Sequence, residues 1–220
     1  SFAQPITIEK QGAFSAGGTV IEAKKTFDPY HPEPDAMTLH GDHANVIYQI
    51  PVHAKNISLM FLHGAGQSMR TWQTTPDGRE GFQSVFLRKG YPVYLIDQPR
   101  RGDAGRATVD GTIKASPDEQ FWFGQFRMVL WPKFYDNSAF ASQKDLNSFW
   151  RQMTPNTGPY NDKVIADAVT DALKKSEGTV LVTHSQGCGP GWLIGTEAGN
   201  NLKGIIALEP GSGFIFPEGK

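Results

Sequence analysis

The run GTVLVTHSQGCG, residues 178–189, breaks from apolar residues into a serine, Ser185, held between His184 and Gln186 and followed by small residues. A buried strand turning sharply into a helix would lift that hydroxyl clear of a sheet, where it could act as a nucleophile. The bland alternative is a strand leaving through an ordinary glycine-rich turn. Thr183 stands where the G-x-S-x-G pattern has its first glycine, so the context carries more weight than the pattern. A serine hydroxyl attacks a carbonyl only when a base takes its proton and donors hold the oxyanion that forms.

A second stretch, FLHGAGQS at residues 61–68, meets the donor requirement. Its small residues after His63-Gly64 let backbone N–H groups approach a substrate oxygen, and the expected pair is Ala65 with Gln186. His63 reads as a structural histidine bonded to loop carbonyls, not as the base. The acid expected is Glu209, which lies in IIALEPG 24 residues past Ser185, at a strand's carboxyl end. A capping or salt-bridging glutamate is the alternative there. Asp97, ending VYLID, competes for the role but precedes the serine; a loop-ordering part suits it better. The six histidines are His31, His40, His43, His53, His63 and His184, and none follows Ser185. The base is missing from the pattern.

The elements that must position these groups alternate. ITIEK, GTVIEAKKTF and MTLHGDHANVIYQIP, the last read as two runs about a Gly-Asp turn, make the first 57 residues β-rich. ISLMFL, VYLID, TVLVTH and LKGIIAL are apolar enough for strands buried on both faces. GREGFQSVFLRKG predicts a helix closed by glycine. NDKVIADAVTDALKKSEG predicts an amphipathic helix with Val164, Ala168 and Leu173 on its apolar side and Gly178 as its stop. This order predicts an α/β fold, a mostly parallel sheet with helices on both faces. Residues 112–160 break the alternation; their crowded aromatics read as short helices of an insertion, either walling an apolar pocket or packing on the core.

Composition narrows the partners. A net charge of −1 without a Lys/Arg block argues against nucleic acid and anionic membranes. No stretch reaches the ~18 apolar residues of a membrane span. The single cysteine, Cys188, excludes an internal disulfide and a cysteine-based zinc site within these residues. A start at Ser1 fits a removed secretory signal or trimming, and a periplasmic or secreted location is favoured over a cytoplasmic one.

Taken together, residues 63–106, 178–189 and 205–211 resemble the α/β-hydrolase fold, and more narrowly an atypical group of bacterial carboxylesterases with a Ser–Glu–His triad. The segment Trp72-Gln73-Thr74-Thr75-Pro76-Asp77-Gly78 carries most of the likeness, which runs over about residues 35–212. The resemblance implies Ser185 as nucleophile, Glu209 as acid, and Ala65 and Gln186 as oxyanion donors. It implies one domain over 1–220, with 112–160 as a helical cap. It also implies roughly a hundred further residues past Lys220, room for two strand-helix units, that carry the histidine, so that GFIFPEGK, residues 213–220, falls in the loop after Glu209. Under it, His63, Gly64, Trp72, Phe121 and Trp122 are expected around the substrate. The expected partners are a small-molecule ester, a C-terminal fragment of the same precursor and a second copy in a homodimer. No metal or organic cofactor is implied. A non-catalytic binding protein on the same scaffold is the rival reading.

Overall fold

The computed structural model describes residues 4–138, 140 and 142–211. Residues 213–220, expected in the loop after Glu209, lie outside the described residues. Six strands form one sheet in the order β1-β2-β4-β3-β5-β6. They are β1 (Ile8–Ile21), β2 (Leu39–Pro51), β3 (Ser58–Leu62), β4 (Val93–Asp97), β5 (Thr179–His184) and β6 (Leu202–Leu208). β1, β2 and β4 pair antiparallel, whereas β4, β3, β5 and β6 run parallel. The helices are α1 (Phe82–Arg88), α2 (Glu119–Gln125), α3 (Gln143–Trp150), α4 (Asp162–Leu173) and α5 (Cys188–Glu197).

Every residue of β3 and β4 is buried, which explains their unbroken apolar runs: each face is covered. Met60, Leu62, Tyr94, Ile96 and Leu181 face α4 and α5, packing on Ile165, Ala168, Val169, Ala172 and Ile194. Leu59, Phe61, Val93, Leu95 and Val182 point the other way, onto Leu87 and Phe86 of α1 and onto Met69 and Trp72. Successive strand residues alternate between the two cores, as the pleat requires.

Four expectations change. The Gly41-Asp42 pair is not a turn; β2 runs on through it in register with β1. Asp42 adopts a positive φ of 58° there while its carboxylate takes a bidentate pair from Arg100. ITIEK and GTVIEAKKTF likewise contribute to one continuous strand. The apolar face of α4 is centred on Ile165, Ala168, Val169 and Ala172, with Val164 only half-buried at its margin, and the helix stops at Leu173, before Gly178. Finally β6, read as buried, is half-exposed because it forms the sheet's edge among the described residues; Ile206 is 49% exposed.

The aromatic segment makes a third, separate cluster. Phe123, Met128 and Leu146 are its buried centre, and Phe126, Phe134, Phe140, Phe149 and Trp150 pack around them.

Candidate active site

Strand register brings the candidate residues to one end of the sheet. Leu62 lies beside both Ile96 and Thr183, and His184 lies beside Leu208. The residues ending or just following these strands, His63, Asp97, Ser185 and Glu209, therefore gather along the carboxyl edge, although 146 positions separate the first from the last. Such an edge is where open α/β sheets gather ligands.

Ser185 begins a single 3-10 turn, Ser185–Gly187, between β5 and α5. Its φ is 51°, a left-handed value that costs a residue with a Cβ about 1 kcal/mol or more. Two close approaches make this turn possible. A Cβ on Gly187 would lie 2.5 Å from the His63 carbonyl oxygen, and one on Gly64 would lie 2.9 Å from Ser185 Cβ. Only glycine lets the loop after β3 and the turn after β5 press together this tightly.

Beyond β6 the chain folds back over the serine. The Gly211 N–H donates to the Ser185 carbonyl at 3.1 Å, and a Cβ on Gly211 would sit 3.1 Å from Ser185 Oγ. Glu209, two residues earlier, has a φ of 44° and an exposed side chain. Burial lowers the His184 imidazole below its usual range, with the Glu209 carboxylate pulling the other way. The His184 ring meets Trp72 edge-on, 6.4 Å between centroids.

Asp97 orders loops. Its carboxylate accepts the backbone N–H groups of Met69 at 2.7 Å and Asp103 at 3.0 Å, and burial raises its pKa. His63 is fully buried; its Nδ1 donates to the Gly64 carbonyl at 3.1 Å and its Nε2 accepts from Gln98 N–H at 3.2 Å. Burial, with Arg101 nearby, brings its pKa down to about 3, so the ring is neutral near pH 7.

A groove of about 330 Å³ opens beside Ala65, lined also by Arg101, Trp122, Phe126, Trp150 and Met153. The aromatic segment thus walls a groove, but packs on a small core of its own rather than on that of the sheet. Along α2 the three-to-four residue period assigns the parts: Phe123 points inward, while Trp122 and Phe126 stack at 5.3 Å on the groove side. Phe121 falls on the remaining side and is 62% exposed, so it takes no part in the wall. Trp72 and His63 also lie outside the groove lining. Trp72 is buried against Phe61 and Phe82, beneath the loop rather than in the groove, because its segment folds as a tight bend bridged by Thr74 and Glu80. A larger cavity, about 520 Å³ among Lys10, Phe14, Tyr48 and Tyr94, lies at the far end of the sheet from Ser185.

Sequence reasoning passed over Arg101 and Tyr160. The pair Arg100-Arg101 reads as solvated charge, yet Arg101 is 1% exposed. Burial draws its pKa down to about 10, so it remains a cation at neutral pH. Tyr160 donates its hydroxyl to the Gln186 carbonyl at 3.3 Å. No periodic pattern marks either residue.

Comparison with known proteins supports the fold. The family model described as the alpha/beta hydrolase family matches residues 59–219. A probable secreted lipase, phiG, from Fungal sp. (strain ATCC 74256) is 33% identical over 161 residues, which cover 69% of this chain and 44% of the lipase. The chain therefore spans less than half the length of that relative. A solved structure described as a novel bacterial esterase superposes with a TM-score of 0.80 at 28% identity, covering 97% of this chain and 72% of the esterase.

Proposed function

The chain belongs to the alpha/beta hydrolase family, and on that premise we propose that it cleaves carboxylic esters through a serine-bound acyl intermediate. One observation carries the reading: Ser185 is held at a left-handed turn pressed between Gly64 and Gly211, with the chain that bears Glu209 folded back over it. The esterase and lipase among its relatives support the ester bond as the target.

In this reading Ser185 acts at a nucleophile elbow. Its Oγ attacks the acyl carbon, giving its proton to a histidine, while the N–H groups of Ala65 and Gln186 hold the oxyanion. The C–O bond to the alcohol breaks and the histidine returns the proton to the leaving oxygen. Water, activated by the same histidine, then releases the acid and frees Ser185. Glu209 orients the imidazole and stabilises its charged form. The histidine comes from outside these 220 residues, since none of the six present is hydrogen-bonded to Ser185 among the described residues. Residues 112–160 act as a cap over the groove, whose Trp122, Phe126 and Trp150 favour an apolar acyl or alcohol group. The relative's description as a secreted lipase supports export of this protein too.

The test is covalent. A fluorophosphonate probe should label the whole protein, and Ser185→Ala should abolish the label; label surviving that change would sink the assignment. In the same series Glu209→Gln should lower ester turnover by about two orders of magnitude or more, because the imidazolium loses its partner. Asp97→Asn should instead weaken folding, by about 1–3 kcal/mol for the disturbed loop bonds, with turnover per labelled serine preserved.

A further inference from the structure

Arg101 is a buried cation that feels the Asp97 carboxylate only from a distance. Among the described residues no carboxylate pairs with it, whereas its neighbour Arg100 has the Asp42 carboxylate. Nη1 of Arg101 donates to the carbonyl oxygens of Gly64, at 3.3 Å, and Gln67, at 2.9 Å. Nε and Nη2 both reach Asn156 Oδ1, at 2.8 and 2.5 Å. Desolvating a guanidinium without a carboxylate in direct contact costs several kcal/mol. A glutamine or an apolar residue would fill the space at less cost if filling space were the only requirement.

What the guanidinium grips gives it a further task. In a trans peptide the C=O of one residue and the N–H of the next lie in one plane and point in opposite directions. The Gly64 carbonyl therefore belongs to the same rigid plane as the Ala65 N–H, the oxyanion donor of the proposed mechanism. Arg101 Nη1 and His63 Nδ1 both donate to that carbonyl, so the plane is held from its oxygen side and the N–H is aimed from behind. A cation on the oxygen also polarises the amide, making its N–H a stronger donor. The far end of the guanidinium is anchored in the groove wall. Asn156 follows Met153 and Thr154; the Thr154 N–H donates to the Gly66 carbonyl at 2.9 Å, and the Gln67 side chain reaches Met153 sulfur at 3.0 Å.

We propose that Arg101 is a positioning residue that aims the Ala65 N–H at the reacting oxygen and, through Asn156, couples that aim to the wall of the groove. This rests on the serine-ester reading above. The test uses the whole protein with Arg101→Gln and Arg101→Lys, and counts competent serines by fluorophosphonate titration so that misfolded molecules do not enter the rate. Turnover per titrated serine should fall about a hundredfold in Arg101→Gln, the scale of a lost oxyanion donor, with KM within about threefold. Arg101→Lys should recover less than a tenth of the parent's turnover, because an ammonium cannot span both carbonyls and Asn156. Affinity for a trifluoromethyl ketone, whose adduct places an oxyanion at the site, should weaken in step with turnover. Folded Arg101 variants with parental turnover per serine and parental ketone affinity would overturn the proposal. Should neither variant fold, Asn156→Ala keeps the guanidinium but removes its shared acceptor. About a tenfold loss in both readouts supports the coupling, and no change in either refutes it. A parent without Ser185-dependent turnover removes the ester reading itself, while a normal parent beside unaffected variants removes only this inference.

Discussion

His63 shows how much a single side chain can hold without touching the reaction. It closes the gap between the ends of β3 and β4, donating to Gly64 and accepting from Gln98. Burial, then Arg101 and His184, keep its imidazole near a pKa of about 3 against 6.5 in the unfolded chain. Between those values the unfolded chain binds a proton that the folded one refuses. Its contribution to stability is therefore complete above about pH 6.5 and is lost as pH falls below it, at about 1.4 kcal/mol per unit. The lowered pKa of His184 acts with the same sign. The thermal midpoint should drop between pH 7 and pH 5, and His63→Gln should flatten that slope whatever it does to the midpoint itself. A variant as acid-sensitive as the parent would refute the role.

At the scale of elements, the strands and the aromatic segment depend on different cores. β3, β4 and β5 are covered on both sides by α4, α5 and α1, whereas α2 and α3 close on the small cluster of Phe123, Met128 and Leu146. Phe123→Ala removes the largest buried ring of that cluster, a change that costs about 3–5 kcal/mol where a site cannot collapse. Because the cluster is separate from the sheet, the loss should stay local. Proteolytic cleavage within residues 112–160 should accelerate, while hydrogen-exchange protection of β3, β4 and β5 stays close to that of the parent. A protein that instead unfolds throughout would show the segment to be part of the main core. The same reasoning explains β6: apolar in sequence, it is half-exposed because an edge strand has a neighbour on one side only.

For the molecule as a whole, activity turns on the group that takes the serine proton. His40 and His43 lie on β2, three strand spacings from β5 in the sheet order, or about 14 Å. His53 follows β2 at the opposite end of the sheet from Ser185, His31 is exposed, His63 is sealed beneath the loop, and His184 is turned to Trp72. Residues 1–220 alone should therefore hydrolyse short p-nitrophenyl esters no faster than background. The whole protein should hydrolyse them, and replacing one histidine outside residues 1–220 should remove that activity. Full turnover from residues 1–220, free of any other polypeptide, would overturn this placement of the base.

The mostly parallel sheet, the serine at the end of β5, the glutamate at the end of β6 and the ordering part of Asp97 were legible from the residues. Each is a local pattern: an apolar run long enough for a covered strand, followed by small or acidic residues at its carboxyl end. The separation of the aromatic cluster from the sheet was not legible, since a buried ring looks the same in sequence whichever core receives it. Nor was the continuity of β2 through Gly41-Asp42, where a bond from Arg100, 58 positions away, holds a conformation that local propensity assigns to a turn. Arg101 is the clearest case. Two adjacent arginines in a polar loop are chemically alike, and only the fold decides that one meets a carboxylate while the other is closed in among carbonyl oxygens.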